Sequence, residues 1–200
     1  FRGPGYSLSQ TTVEELNRRG YLYDASTLPT FIGPLARAYF FMSSAFTREE
    51  AACRSTIFGG LRDGFRRIAP YRLNVWVEGL IEIPVTTMPF VRVPIHFSYL
   101  LYLSLYSRAA AKAYFRTALT FCRFAGVEPS LLLHPLDFLG PETADGVAFF
   151  PGMGLPLTHK LEMIGWALEE LKTTCHVVTM REHALKVAQQ RGLPLLAPTI

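Results

Sequence analysis

Short apolar runs closed by turn residues alternate along this chain with longer segments of helical periodicity, and that alternation constrains it to an α/β fold with parallel strands. The strand-like runs are residues 21–24, 79–86, 130–134 and 175–179. Helical segments separate them. Thr11 or Thr12 is placed to cap a short helix that Gly20 ends. Residues 96–105, 107–125, 158–171 and 181–190 carry helical patterns, and Gly126 stands where the second of these needs a C-cap. Residues 34–68 read as two helices, the second opened by a capping box of Thr47 and Glu50. They are long for a connection between a strand and a helix, so they read as an insertion. Gly192 and Pro194 are expected to end ordered structure. In a barrel of parallel strands, the strand C-termini and the loops after them gather on one functional face. Residues at strand ends are therefore the first candidates for chemistry.

Half of the 200 residues are hydrophobic and 18% are charged, which is enough apolar surface for one domain to bury a core. The net charge is +4, scattered apart from Arg62, Arg66 and Arg67. There is no long basic run and no nucleic-acid motif, so no nucleic-acid partner is expected. Cys53, Cys122 and Cys175 are far apart and form no CxxC pair, which argues against a zinc ribbon and against a disulfide framework. A reducing, cytoplasmic compartment is the matching expectation. No run reaches the roughly eighteen apolar residues of a membrane span. The insertion carries Tyr39, Phe40, Phe41, Phe46, Phe58 and Phe65, and core packing is the first reading of that stripe. With Arg62, Arg66 and Arg67 beside it, weak contact with a membrane surface is the second. Nothing in the sequence sets the oligomeric state.

Three places fall at or beside strand ends. In Phe1-Arg2-Gly3-Pro4-Gly5-Tyr6-Ser7 an arginine stands next to a tight turn. It reads either as a fixed charge over a cleft, with backbone N–H groups near Gly5 and Tyr6 aimed at an oxyanion, or as an ordinary surface turn. Asp24 closes the run YLYD and reads as an orienting carboxylate or as the start of an Asx-turn. His134 closes the run LLLH before Pro135 and reads as a proton-transfer group or as a satisfied, half-buried histidine.

Taken together, these segments resemble the polysaccharide deacetylases, the NodB-homology or carbohydrate esterase family 4 enzymes. FRGPGYS is similar to the family's third motif, YDAS to its fourth, GLIEIPVT to a strand with Glu-Ile-Pro, and SLLLHPLDFLG to its fifth. They occur in the family's order over roughly residues 1–190. The resemblance implies a distorted β/α barrel that removes acetyl groups from a glycan with the help of a divalent metal, zinc in many members. It implies His134 as the general acid toward the leaving amine and Asp24 as a support for that histidine or for the cleft wall. It implies that Arg2 holds the catalytic aspartate, that the Tyr6 backbone helps to stabilise the oxyanion, and that Leu132 lines the acetyl-methyl pocket. The implied partner is an acetylated carbohydrate.

The departure from the family lies in its first two motifs. An Asp-Asp strand end and a His-x-x-x-His helix supply the base and the metal ligands there, and neither occurs here. No two of His96, His134, His159, His176 and His183 stand four apart. Residues 1–200 are therefore expected to be the C-terminal portion of one catalytic domain, beginning inside it, without the metal ligands and inactive alone. The alternative expectation is a catalytically inactive homologue that serves as a glycan-binding or structural α/β domain.

Overall fold

The computed structural model describes residues 1–35, 37–38, 60–75, 79–142 and 152–198. In chain order they form helix α1 (Gln10–Arg18), strands β1 (Tyr23–Asp24), β2 (Tyr71–Leu73) and β3 (Ile81–Glu82), helices α2 (Phe97–Ser104), α3 (Arg108–Phe124), α4 (Leu157–Thr174) and α5 (Met180–Ala188), and strand β4 (Leu195–Leu196). Single 3-10 turns cover Pro4–Tyr6, Leu61–Phe65 and Pro135–Phe138. The chain divides into two compact units. One comprises Phe1–Tyr39, Phe46–Val85 and Val178–Ile200, the other Phe40–Ala45 and Thr86–Val177. Most of the expected helical insertion at 34–68 lies outside the described residues, including Thr47, Glu50, Tyr39, Phe40, Phe41, Phe46 and Phe58. At its end Asp63 accepts from the Gly60 N–H at 2.6 Å, and Phe65 stands exposed with one edge contact to Phe31.

The first unit holds all four strands in one open sheet of order β1-β3-β2-β4. β1 pairs with β3 and β2 with β4 in parallel, while β2 and β3 are antiparallel. The class is therefore mixed α/β, as the alternation predicts. The expected barrel is not what the described strands form. Only residues 74–80 connect β2 to β3, fewer than the dozen or so that a parallel crossover needs. The chain turns straight back, and Leu73 N–H donates to Leu80 O at 2.8 Å. β4 was expected to be disordered. It is held by Arg72 N–H to Pro194 O and by Asn74 N–H to Leu196 O.

Helix α1 begins at Ser9, whose hydroxyl accepts from Thr12 N–H at 3.1 Å. The cap thus lies ahead of the threonines expected to supply it. Gly20, at φ 69°, ends the helix as predicted. Val13 and Leu16 bury one face of α1 against Tyr71, Leu73, Val75 and Leu80. Helix α5 opens on Thr179, which exchanges hydrogen bonds with Glu182. Its Ala184 and Val187 pack on Ile81 and Ile83.

The second unit is helical. Ser107 caps α3 through Ala110 N–H, and Gly126 at φ 64° closes it. Lys160, Met163, Ile164, Ala167 and Leu171 are the buried positions of α4 and recur at helical spacing. Four of them join Phe97, Leu100, Leu101, Phe115 and Leu119 in one core, where the rings of Phe115 and Trp166 meet edge to face at 5.8 Å. Two expected strands are absent. Residues 130–134 take no strand assignment, and among the described residues their backbone bond to a distant segment is Phe97 N–H to Leu132 O. An apolar run becomes a strand only where a neighbour supplies a ladder. Leu131 and Leu133 pack on the helical core instead. At 175–179, Cys175 ends α4, Val177 and Val178 are exposed, and Thr179 caps α5. No described helix is long and apolar enough to cross a membrane.

Phe115 fills the centre of the helical core, so Phe115→Ala is expected to cost about 3–5 kcal/mol of stability. Urea titration followed by tryptophan fluorescence checks this, because Trp166 touches the deleted ring. An unchanged midpoint would contradict the packing described.

Candidate functional site

The turn at residues 1–7 is built onto the end of β1. Ala25 N–H donates to Phe1 O, Arg2 Nε donates to Ala25 O at 2.9 Å, and Gly3 N–H donates to Ser26 Oγ at 2.8 Å. A Cβ on Gly3 would collide with the Ser7 carbonyl, which is why glycine stands there. Tyr6 adopts φ 62°, a left-handed conformation for a residue other than glycine. Its N–H, expected to face an oxyanion, donates instead to Gly3 O at 3.1 Å. Arg2, expected to hold a catalytic aspartate, fixes a carbonyl through its Nε.

Asp24 forms the Asx-turn that was its second reading. Its two oxygens accept from Ser26 N–H at 3.1 Å and from Ser26 Oγ at 2.9 Å. Sheet register does something the sequence does not announce. Asp24 is the direct partner of Glu82 across β1 and β3, and Glu82 is the partner of Tyr71 across β3 and β2. Register partners carry their side chains on one face about 5 Å apart. Two carboxyls and a phenol therefore stand in a row, all buried. Glu82 Oε1 accepts from Thr27 N–H at 2.9 Å, Oε2 has no donor, and Tyr71 OH meets Thr27 Oγ1 at 3.2 Å. Burial first, and then the Asp24 carboxylate, pushes Glu82 up from 4.5 to about 8. A proton on Glu82 Oε2 gives that orphaned oxygen its partner, since it can donate toward Asp24. Burial also raises the Tyr71 phenol.

His134 belongs to the other unit. It opens the 3-10 turn Pro135–Phe138 in a reciprocal cap: its N–H donates to Asp137 Oδ2 at 2.7 Å, and Asp137 N–H donates to His134 O at 3.0 Å. Proline after the histidine fits the first turn position. Leu131 and Leu133 pack on the core, and Leu132 and His134 beside them are partly buried. The His134 side chain is about one-third exposed (35%). Its Nδ1 lies 3.0 Å from Ser98 Oγ on α2, and that hydroxyl donates to Asp137 Oδ1 at 3.1 Å. Asp137 is wholly buried. Burial raises it, against the opposing pull of the His134 N–H, the Ser98 hydroxyl and the charges of His134 and Lys160.

Sequence reading missed Ser98, Asp137, Glu82 and Lys160. Three of them carried a signal. Glu82 is an acid inside an apolar run, Asp137 sits at capping-box spacing from His134, and Lys160 lies on the apolar stripe of α4.

The resemblance implies a divalent metal whose ligands lie in motifs that residues 1–200 do not contain. Among the described residues no three His, Cys, Asp or Glu side chains gather to hold an ion. Both oxygens of Asp24 and both of Asp137 are already accepting hydrogen bonds. The described residues do not fit a resident metal.

The buried carboxyl pair makes stability depend on pH. A glutamate raised from 4.5 to about 8 keeps its proton in the folded state over the interval in which the unfolded chain has lost it. The unfolded state then binds fewer protons, so this contribution to stability is full below pH 4.5 and falls as pH rises toward about 8. In Glu82→Gln the amide oxygen still accepts from Thr27 and the amide NH₂ donates toward Asp24. The variant is expected to lose this slope and to melt higher than the parent at pH 8 but not at pH 4.5. Thermal denaturation across that range reads it, and parallel pH profiles for the two proteins would refute the shared proton.

No protein-family model matches the chain, and no curated protein and no solved structure matches it.

Proposed function

We propose that this chain supplies the general acid of a hydrolase that removes acetyl groups from an amide-linked glycan. The observation that carries the reading is His134: one-third exposed, set by a proline turn, and tied through Ser98 to a buried carboxylate. The order of the motif-like segments agrees with it. In amide hydrolysis a C–O bond forms from water to the acetyl carbon and the C–N bond breaks. An amine cannot leave as its anion, so it must be protonated as the bond breaks. A one-third-exposed imidazole before a proline turn is suited to supply that proton, and the neighbouring apolar Leu132 suits a methyl group. The distorted β/α barrel of the deacetylases belongs to this proposal. The described strands by themselves make an open sheet.

A second reading has its own support. It is that of an inactive homologue that binds glycan without turning it over, since the Arg2 and Asp24 side chains serve the turn after β1: Arg2 Nε is bonded to Ala25 O and both Asp24 oxygens to Ser26.

Acetate release from N-acetylated chito-oligosaccharides by the natural protein, supplied with zinc, separates the two. The proposal expects release, with His134→Ala lowering kcat by about 10²- to 10⁴-fold and leaving KM within about threefold. Saturable oligosaccharide binding without acetate release, unchanged in the variant, would replace the proposal with the second reading.

A further inference from the structure

The hydroxyl of Ser98 has one proton and two neighbours. It lies 3.1 Å from Asp137 Oδ1 and 3.0 Å from His134 Nδ1. Both oxygens of Asp137 are acceptors, one for Ser98 and one for the His134 backbone N–H. A carboxylate offers no proton in return, so the serine proton points at Asp137. Ser98 Oγ can then meet the imidazole only as an acceptor, and Nδ1 must be the nitrogen that carries hydrogen. We infer that Ser98 and Asp137 are positioning residues that hold His134 as the Nδ1–H tautomer and make Nε2 the nitrogen that exchanges protons with substrate. The role rests on the reading of His134 as the general acid.

The arrangement has a fixed foundation. Ser98 is buried on α2, behind the imidazole, so it braces the ring and does not present a nucleophile. Asp137 Oδ2 lies 3.9 Å from Nδ1, the same ring nitrogen that Ser98 Oγ meets. Behind it Lys160, wholly buried on α4, donates to Leu136 O at 3.2 Å, Leu139 O at 2.7 Å and Met153 Sδ at 3.4 Å. All three ammonium hydrogens are thereby used, two of them on the turn that carries Asp137. His96 meets the ring from one side, with centroids 6.4 Å apart. Among the described residues, Asp137 is a carboxylate that reaches this imidazole through a serine.

Selective ¹⁵N labelling of the histidine rings tests the inference directly. Long-range ¹H–¹⁵N spectra of the natural protein, recorded where imidazoles are neutral, distinguish the two tautomers, and His134→Gln identifies the His134 signals. The expected result is the Nδ1–H form in the parent and in Ser98→Thr, and a shift toward the Nε2–H form in Ser98→Ala. Ser98→Ala is also expected to lower kcat for acetate release by about ten- to a hundredfold, part of what a positioned acid contributes, with KM little changed. An Nε2–H tautomer in the parent would overturn the inference. So would a Ser98→Ala protein whose tautomer and kcat match the parent while His134→Ala is inactive, and that outcome would leave the deacetylase reading intact. The expected tautomers in a protein that releases no acetate would sink the deacetylase reading and leave the assignment of Ser98 and Asp137 to His134 standing.

Discussion

A carboxylate taken out of water needs replacement hydrogen bonds or a proton, because the ionised form loses most when solvent is removed. Asp24, Glu82 and Asp137 are all fully buried here. Each meets the requirement in its own way. Asp24 accepts twice from Ser26, one residue beyond Ala25. Asp137 accepts from Ser98 and from the backbone of His134. Glu82 accepts once, and burial beside Asp24 favours a proton on its second oxygen. These bonds fix the turn after β1, the register of β1 on β3, and the turn that carries His134. In each unit, the segment that looks chemical is the segment a buried acid organises.

Burial has different consequences in the two units. Across β1 and β3 it works on two like groups forced together by register, so the pair relieves its repulsion by keeping a proton. That favours the protonated form of Glu82, and the row toward Tyr71 reads as structural. Around His134 the acid has donors on both oxygens and a buried ammonium behind its turn. It is tied to the imidazole through Ser98. The same physics stores a proton in one place and orients one in the other.

Much of this was legible in the residues. The helices were, because Ser107, Gly20 and Gly126 mark ends and the apolar stripes mark faces. β1 and β3 were found as short apolar runs with turn residues behind them. The run at 130–134 carries the same signal without forming a strand, because no described neighbour offers it a ladder. β2 and β4 were missed for the converse reason. YRL and LPLL are unremarkable as local sequence and become strands only when they find each other. His134 was visible from its place before proline. Ser98 was not, since a serine in a helix with apolar neighbours announces nothing, and its importance comes from a contact 36 residues away. The adjacency of Asp24 and Glu82 is likewise a product of register, which no local pattern encodes.

The central claim is that the proton-bearing face of His134 is turned toward a bound acetamido sugar by Ser98 and Asp137. A crystal structure of the natural protein with an N-acetylated chito-oligosaccharide tests it most directly. The account predicts His134 Nε2 within hydrogen-bond distance of the sugar nitrogen, with Nδ1 still on Ser98 Oγ. An oligosaccharide bound away from His134, or a ring turned to present Nδ1 to the sugar, would contradict it.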